Sequence, residues 1–402
     1  MRTNMAGVSR KPRTDLFEAF PDTLRRRLKA IIRHFLDSSF AGPKLDPNLP
    51  SIAALRIINC NATGKSVPFY QATCDVERHA NIFPFYVIFK TGFKILRQFL
   101  ITGSAPVEQD HRHTLAKLLN FIMAIEKESP LHHLENCADE VSLNVLLTNH
   151  LFAMLCSSSQ FTMDNHLYRK HDRYMCPCGS DECELTGKCG DTSIGNTNVW
   201  HGNLDVILNS NLPVKFTSLG DGDYTNSDDE TKNKSPVNNC ANLNRKASLK
   251  LNQQMIAEVI VFSFLNKKLH PCSESYLVPC LGSCGTDLVV YLYDAQHDVL
   301  LESCQFELRN KTTGALNLVT IIVTWLVVNY RYTCTGLTPY MMKKSNFFTS
   351  AKEKLQVYQE DLKFGCVGLS EAEVVVEVSD LPWNADGLKD IDDELDELSK
   401  YF

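Results

Sequence analysis

Apolar residues recur every three or four positions in several stretches of the chain, which is the spacing of one face of an α-helix. The first such stretch lies at residues 24–36, and Pro21-Asp22 before it is typical of a helix start. The stretch at 249–267 is apolar on most sides, so its helix is predicted to be buried. The same pattern predicts further helices over residues 113–125, 140–156 and 350–363.

Short apolar runs between these helices predict β-strands. Two strands are expected at 199–208 and 212–219, joined by the turn-forming residues Asn209-Ser210-Asn211. Two more, at 287–293 and 298–303, form a predicted hairpin. Because helices and strands alternate, the sequence predicts an α/β (α+β) fold, with a central mixed sheet flanked by helices and with helical N- and C-terminal extensions.

Residues 315–328 form the most apolar stretch of the chain and are therefore the candidate for a membrane-spanning helix. It is shorter than the ~20 residues that cross a bilayer. Asn317, Thr320 and Thr324 also interrupt it. The stretch therefore predicts a buried core helix, and no membrane partner is expected.

Composition shifts divide the chain into three predicted regions. Residues 1–130 form a basic, mixed helical region, and residues 131–365 form the central domain. The central domain contains a cysteine-rich insert at 171–190 and, at 220–247, a loop of Asp, Asn, Ser, Thr and Lys that has too few apolar residues to fold. Residues 366–402 form an acidic tail with a short amphipathic helix.

The overall charge gives no argument for nucleic-acid binding, because the 47 Asp and Glu outnumber the 41 Lys and Arg among the 402 residues. The net charge is −6. The basic residues of the first helix nevertheless offer a track for phosphates, and the acidic tail offers a helix for a protein partner. Without an apolar secretory signal at the start, we expect an intracellular protein, nuclear or cytoplasmic. The pattern leaves the oligomeric state open. The basic residues are Arg25, Arg26, Arg27, Lys29 and Arg33.

Four cysteines lie within fourteen positions in the cysteine-rich insert: Cys176, Cys178, Cys183 and Cys189. Zn²⁺ prefers four soft ligands of this kind in a tetrahedron. The spacing is tighter than in standard zinc fingers, so a loop of reduced thiols is the alternative. The sequence therefore predicts a structural zinc knuckle built from these four side chains.

Polar residues of the central block follow a recognisable order. Asp205 follows Gly202 on one predicted strand, Lys215 lies on the next, and Gln254 begins the following helix. With a preceding helix that starts at Glu140, this order resembles the PD-(D/E)XK, or restriction-endonuclease-like, nuclease superfamily, in particular its RecB-like branch. The resemblance covers residues 139–303, and its motifs are short.

The resemblance implies a fold core of a helix, three strands, a helix and a strand. It also implies a nuclease that uses Mg²⁺ or Mn²⁺ to hydrolyse DNA or RNA, with Asp205 and Glu140 as metal ligands and Lys215 and Gln254 as catalytic partners. The sequence departs from the family at position 213, where Pro213 replaces the expected acid. Glu258, one helical turn after Gln254, is a candidate replacement ligand, as are Asp221 and Asp223.

The chain is also similar to a group of invertebrate proteins, a similarity that implies no activity. The segments that carry it are residues 260–265, His270-Pro271, Tyr293-Asp294, 298–301 and 329–332.

Two alternatives to a nuclease remain open. The missing acid at Pro213 favours a binding module that keeps the nuclease fold without its chemistry. The third possibility is a scaffold protein assembled through the basic N-terminal and acidic C-terminal helices.

Overall fold

The computed structural model describes residues 16–37, 50–126, 131, 134, 140–165, 176–178, 180, 183, 185–217, 249, 251–273, 275–310 and 313–367. The predicted loop at 220–247 and the acidic tail lie outside the described residues. The side chain of Glu140 is also outside them. Met1–Val367 forms one structural unit.

The helices agree with most of the sequence-based predictions. Polar caps mark two of the buried ones: the Asn252 side chain accepts from the amide of Met255, and the Asn317 side chain accepts from that of Val319. The helices are α1 Leu16–Ala19, α2 Asp22–Asp37, α3 Lys90–Thr102, α4 Gln109–Ile125, α5 Glu140–Leu147, α6 Ala153–Leu155, α7 Gln253–Leu269, α8 Leu318–Val328, α9 Tyr330–Thr333 and α10 Phe347–Ala351.

Shorter helical turns complete the set. A π-helical turn, Thr148–Phe152, joins α5 to α6, so the predicted helix at 140–156 is confirmed but contains an irregular turn. The helix predicted at 350–363 is wrong as a regular helix, because the chain there forms the end of α10, a 3₁₀ turn at Lys352–Lys354 and a π turn at Val357–Asp361. Other 3₁₀ turns lie at Phe69–Gln71, Phe85–Val87 and Pro339–Met341.

The described residues form fourteen strands, which are distributed over two sheets. They are β1 Ser51–Cys60, β2 Val67–Pro68, β3 Cys74–Pro84, β4 Phe161–Asp164, β5 Lys188–Gly190, β6 Ser193–Gly195, β7 Trp200–Asn203, β8 Val206–Leu208, β9 Leu212–Phe216, β10 Leu277–Cys284, β11 Asp287–Asp294, β12 Val299–Ser303, β13 Phe306–Glu307 and β14 Lys363–Phe364.

The larger sheet has ten strands in the order β3-β1-β12-β11-β10-β9-β8-β4-β5, with β13 pairing with β11. Strand β8 is antiparallel to both of its neighbours, β4 and β9, whereas β10 is parallel to β9 and is reached through α7. The hairpin predicted at 287–303 is confirmed as the antiparallel pair β11 and β12. Strands β1 and β3, from the predicted N-terminal region, belong to this same sheet through the pairing of β1 with β12.

The predicted strand at 199–208 is divided into two. Its first half, β7, joins the smaller sheet in the order β14-β6-β7-β2, and its second half, β8, joins the larger one. The division falls at Leu204 and Asp205, because the Asp205 carboxylate turns toward β9 and binds there. The segment predicted as one strand at 199–208 therefore contributes to both sheets.

The most apolar helices lie inside the protein. Helix α7 contacts β10 and β11 of the larger sheet and β6 and β7 of the smaller one, which explains why residues 255–265 are buried on every side. Helix α8 is also buried, and the indole of Trp325 donates to the carbonyl of Thr114 on α4 at 2.7 Å. Among the described helices, none combines the length and the apolar character that crossing a membrane would require.

Candidate functional site

Asp205 and Lys215 form a buried ion pair at the junction of β8 and β9. The Lys215 Nζ donates to Asp205 Oδ1 at 2.9 Å, and the backbone N–H of Phe216 donates to Asp205 Oδ2 at 2.7 Å. The Lys215 side chain is only 15% exposed and the Asp205 side chain only 6%. Because Val206 pairs with Val214 in antiparallel register, the residue before β8 and the residue after Val214 lie side by side. The fold thus brings together two of the residues predicted from the sequence.

Helix α7 contributes the other two polar residues of this cluster. Gln254 Nε2 donates to Glu258 Oε1 at 2.8 Å, one helical turn apart. Glu258 is fully buried, and among the described residues its second oxygen, Oε2, has no hydrogen-bond partner. A buried carboxylate oxygen without a partner is costly, so this atom needs a proton, a cation or a water.

Hydrogen bonds and charge interactions join four side chains, which we call the acid–lysine cluster: Asp205, Lys215, Gln254 and Glu258. Burial raises the pKa of Glu258 to about 7, against the opposing effect of Lys215 and with a further contribution from Asp205. Burial disfavours the Lys215 ammonium, but the charges of Asp205 and Glu258 outweigh it, so the pKa of Lys215 is raised. Burial together with Glu258 and Asp205 also raises the pKa of Cys280 on β10 well above its usual value.

Two other residues named by the sequence pattern have defined places. Pro213 lies within β9 opposite Ile207, two residues before Lys215. Glu140 is the first residue of α5, and the structure does not describe its side chain. Asp221 and Asp223 lie outside the described residues. In the part of the chain that the structure describes, no third Asp, Glu, His or Cys joins Asp205 and Glu258 in a compact ligand group.

The basic residues of the first helix lie on α2, which packs against α3. Arg26, Lys29 and Arg33 are exposed, whereas Arg25 lies 5.2 Å from the ring centre of Phe99 in a cation–π contact. Arg27 forms an ion pair with Glu126. Most of this face is therefore accessible to an anionic partner.

A second cluster, which we call the Cys/His cluster, consists of His150, Cys176, Cys178 and Cys183. Their ligand atoms all lie within 4.8 Å of one another, which makes this a group that could hold a metal ion such as zinc. The His150 Nε2 lies 3.1 Å from Cys176 Sγ and 3.4 Å from Cys183 Sγ. Burial lowers the pKa of His150 to about 4 and raises that of Cys176, so the imidazole is neutral at pH 7.

The cluster differs from the sequence-based ligand set in one member. Three of the predicted cysteines belong to it, but Cys189 does not, and His150 takes the fourth position. Cys189 is part of β5, where its pairing with Met163 of β4 fixes it in the sheet. His171, which is near the cysteines in sequence, lies outside the described residues.

Sequence reasoning missed His150, although one signal pointed to it. Residues 145–155 are apolar except for Thr148-Asn149-His150. Such a polar interruption in a buried helix needs partners, and the structure supplies them. The Asn149 Nδ2 donates to Cys183 Sγ at 3.7 Å, and its Oδ1 accepts from the N–H of Thr186 at 3.1 Å.

Comparison with known proteins adds no relative. No family model matches the chain, and neither a curated protein nor a solved structure matches it.

Proposed function

We propose that the chain is a divergent, metal-dependent phosphodiesterase that cleaves DNA or RNA at the acid–lysine cluster. The order of elements supports this proposal. After helix α5–α6, the strands β4, β8 and β9 form an antiparallel run in the larger sheet, with the short strands β5, β6 and β7 inserted between β4 and β8, and α7 then leads to β10, which is parallel to β9. This order agrees with the helix, three strands, helix and strand that the resemblance to PD-(D/E)XK nucleases implies.

The single observation that carries the proposal is the position of Glu258. Position 213 holds a proline where the nuclease pattern has an acid, so a ligand must come from elsewhere. Glu258 interacts electrostatically with both Asp205 and Lys215, although it comes from α7 rather than from a strand. Its buried, unpartnered Oε2 is suited to a cation. The helix thereby supplies the second carboxylate.

The donor set fits a hard divalent cation. Mg²⁺ is commonly held by one or two carboxylates together with waters and substrate phosphates, so Asp205 and Glu258 would be enough. When bound, such an ion polarises the phosphate and lowers the pKa of an attacking water. In this arrangement Lys215 would stabilise the negative charge that develops on the phosphate. Gln254 would hold Glu258 in position through the bond at Oε1.

The competing function is a nucleic-acid-binding module without catalysis. The burial of the cluster favours it, since Asp205 is already satisfied by Lys215 and by the N–H of Phe216. In that case the Asp205–Lys215 ion pair has a structural role only, and the exposed basic residues of α2 contact the phosphates of the nucleic acid.

The test is cleavage of labelled single- and double-stranded DNA and RNA in Mg²⁺ or Mn²⁺. We expect activity in wild type and a loss of at least about 100-fold in Asp205→Ala, Lys215→Ala and Glu258→Gln, because each removes a charge from the reaction centre. Lys188→Ala and Asp361→Ala, on the surface, are the matched controls and should retain activity. Circular dichroism and the melting temperature establish that each variant is folded.

Absence of cleavage by folded wild-type protein on every substrate would contradict the phosphodiesterase proposal. Salt-dependent binding that is weakened by Arg26→Ala and Arg33→Ala would then support the binding module. Cleavage that survives Glu258→Gln unchanged would show that another residue replaces the missing acid.

A further inference from the structure

We propose that the Cys/His cluster binds one zinc ion through four protein ligands, His150, Cys176, Cys178 and Cys183, and that this zinc holds the cysteine-rich segment onto the helix that contains His150. The proposal does not depend on the phosphodiesterase chemistry, because none of the four zinc ligands belongs to the acid–lysine cluster.

The distances in the Cys/His cluster are close to those of a zinc tetrahedron, with the two N–S distances of 3.1 and 3.4 Å on the short side. With Zn–S and Zn–N bonds of about 2.3 and 2.0–2.1 Å, the edges of the tetrahedron measure roughly 3.6–3.8 Å. The His150 Nε2 lies 3.1 and 3.4 Å from two of the sulfurs, and all four ligand atoms lie within 4.8 Å of one another. A histidine that needed only one hydrogen bond would not have two sulfurs close to the same nitrogen and a third thiol in the same group.

The ligand types identify the metal and its role. Three cysteines and a histidine form a soft donor set that suits Zn²⁺ rather than Mg²⁺. All four tetrahedral positions are filled by the protein, which leaves no open position for a water or a substrate. Closed sites of this kind are structural, whereas catalytic zinc keeps one position open.

The surrounding residues hold the ligands in place. His150 lies in the π-helical turn Thr148–Phe152, and such turns occur frequently at functional sites. The neighbouring Asn149 contacts Cys183 through its Nδ2, while its Oδ1 accepts from both the N–H and the hydroxyl of Thr186. An outer hydrogen-bond partner that orients a ligand is typical of metal centres.

The location of the cluster shows what the zinc would stabilise. Thr186 lies two residues before β5, which ends the strand order of the larger sheet and pairs with β4. The N–H of Asp164, at the end of β4, donates to the carbonyl of Asp205 at 2.9 Å. The zinc would therefore anchor the edge of the sheet that supports the backbone of Asp205.

The experiment measures zinc directly, by elemental analysis of the purified protein and by competition with a chromogenic chelator. We expect about one zinc per chain in wild type and in Cys189→Ser, the matched control outside the cluster. His150→Ala should lose more than the roughly 10–100-fold in zinc affinity that loss of an outer-shell partner costs. His150→Cys should regain zinc, because cysteine is also a zinc ligand.

A second measurement covers the case in which a variant fails to fold. Wild-type protein treated with a chelator should melt at a lower temperature and recover on addition of zinc, and Co²⁺ in place of zinc should give the absorption of a tetrahedral thiolate site. Folded wild-type protein without zinc, or with a disulfide between Cys176 and Cys183, would overturn the proposal. Equal zinc loss in Cys189→Ser and His150→Ala would overturn the ligand assignment.

Discussion

Glu258 is a fully buried acid whose carboxylate is only half satisfied by hydrogen bonds among the described residues. One carboxylate oxygen accepts from Gln254, and the other has no hydrogen-bond partner among the described residues. The positive charge that opposes the rise in its pKa is that of Lys215, which already binds Asp205. Without a cation, protonation is the cheapest way to bury this group.

The proton on Glu258 should make the stability of the protein depend on pH. Burial raises the folded-state pKa to about 7 from 4.5, so between these values the folded state binds more protons than the unfolded state. The free energy of unfolding should therefore fall as the pH rises through this window and level off above it. From about pH 5 to about pH 8 the expected loss is roughly 2–3 kcal/mol.

Urea unfolding at several pH values, in buffer without divalent cations, measures this effect. Glu258→Gln keeps the shape of the side chain and cannot ionise, so the contribution should vanish in that variant. The difference between the two proteins removes the titration of all other groups. Parallel pH profiles for wild type and Glu258→Gln would contradict the elevated pKa.

At the scale of secondary structure, the elements that depend on local residue spacing were predicted from the sequence. The features that depend on residues far away in the chain were not. The helical spacing at residues 24–36 predicted α2, since the apolar face is written in consecutive turns. The division between β7 and β8 was missed, because it depends on bonds from Asp205 to Lys215 and Phe216 on another strand. His150 was missed for the same reason, since the cysteines that meet it are 26 and 33 residues further along the chain.

Gly202 permits the change of direction between the two sheets. Its φ is +147°, and a Cβ there would lie 3.0 Å from Cδ2 of Phe69. Only two residues separate β7 from β8, so strain at Gly202 acts close to Asp205. The glycine of the sequence motif therefore has a conformational role.

Gly202→Ala should destabilise the protein by about 1–3 kcal/mol, the cost of a residue held in a sparsely populated backbone region, with a further contribution from Phe69. Gly285→Ala is the matched control, because its φ is +58° and a Cβ would meet nothing within 4 Å. Urea unfolding of both variants gives the comparison. A smaller loss in Gly202→Ala than in Gly285→Ala would refute the role assigned to Gly202.

At the scale of the whole molecule, the N-terminal strands and the central block share one sheet. The Glu302 carboxylate on β12 accepts from Arg78 Nε on β3 at 2.8 Å, from the Tyr291 hydroxyl at 2.9 Å and from the N–H of Leu251 at 2.6 Å. Glu302 is only 1% exposed. One buried charge thus joins strands from both predicted regions to the segment before α7.

Because the N-terminal strands and the central block share one sheet, the described part of the chain should unfold in a single step. Glu302→Ala removes the acceptor of Arg78 and of the Leu251 N–H, whereas the Tyr291 hydroxyl keeps the carbonyl of Leu249. Because Arg78 is 41% exposed and can be solvated, the variant should cost about 1–3 kcal/mol. Tryptophan fluorescence and far-ultraviolet circular dichroism, followed in the same urea series, should give coincident transitions that shift together in the variant. Glu77→Ala is the control on β3: its partner is Arg56, both side chains are about half exposed, and breaking such a surface pair costs at most about 1 kcal/mol. Two separate transitions in either protein would show instead that the N-terminal region folds as a domain of its own, as the composition of residues 1–130 predicts.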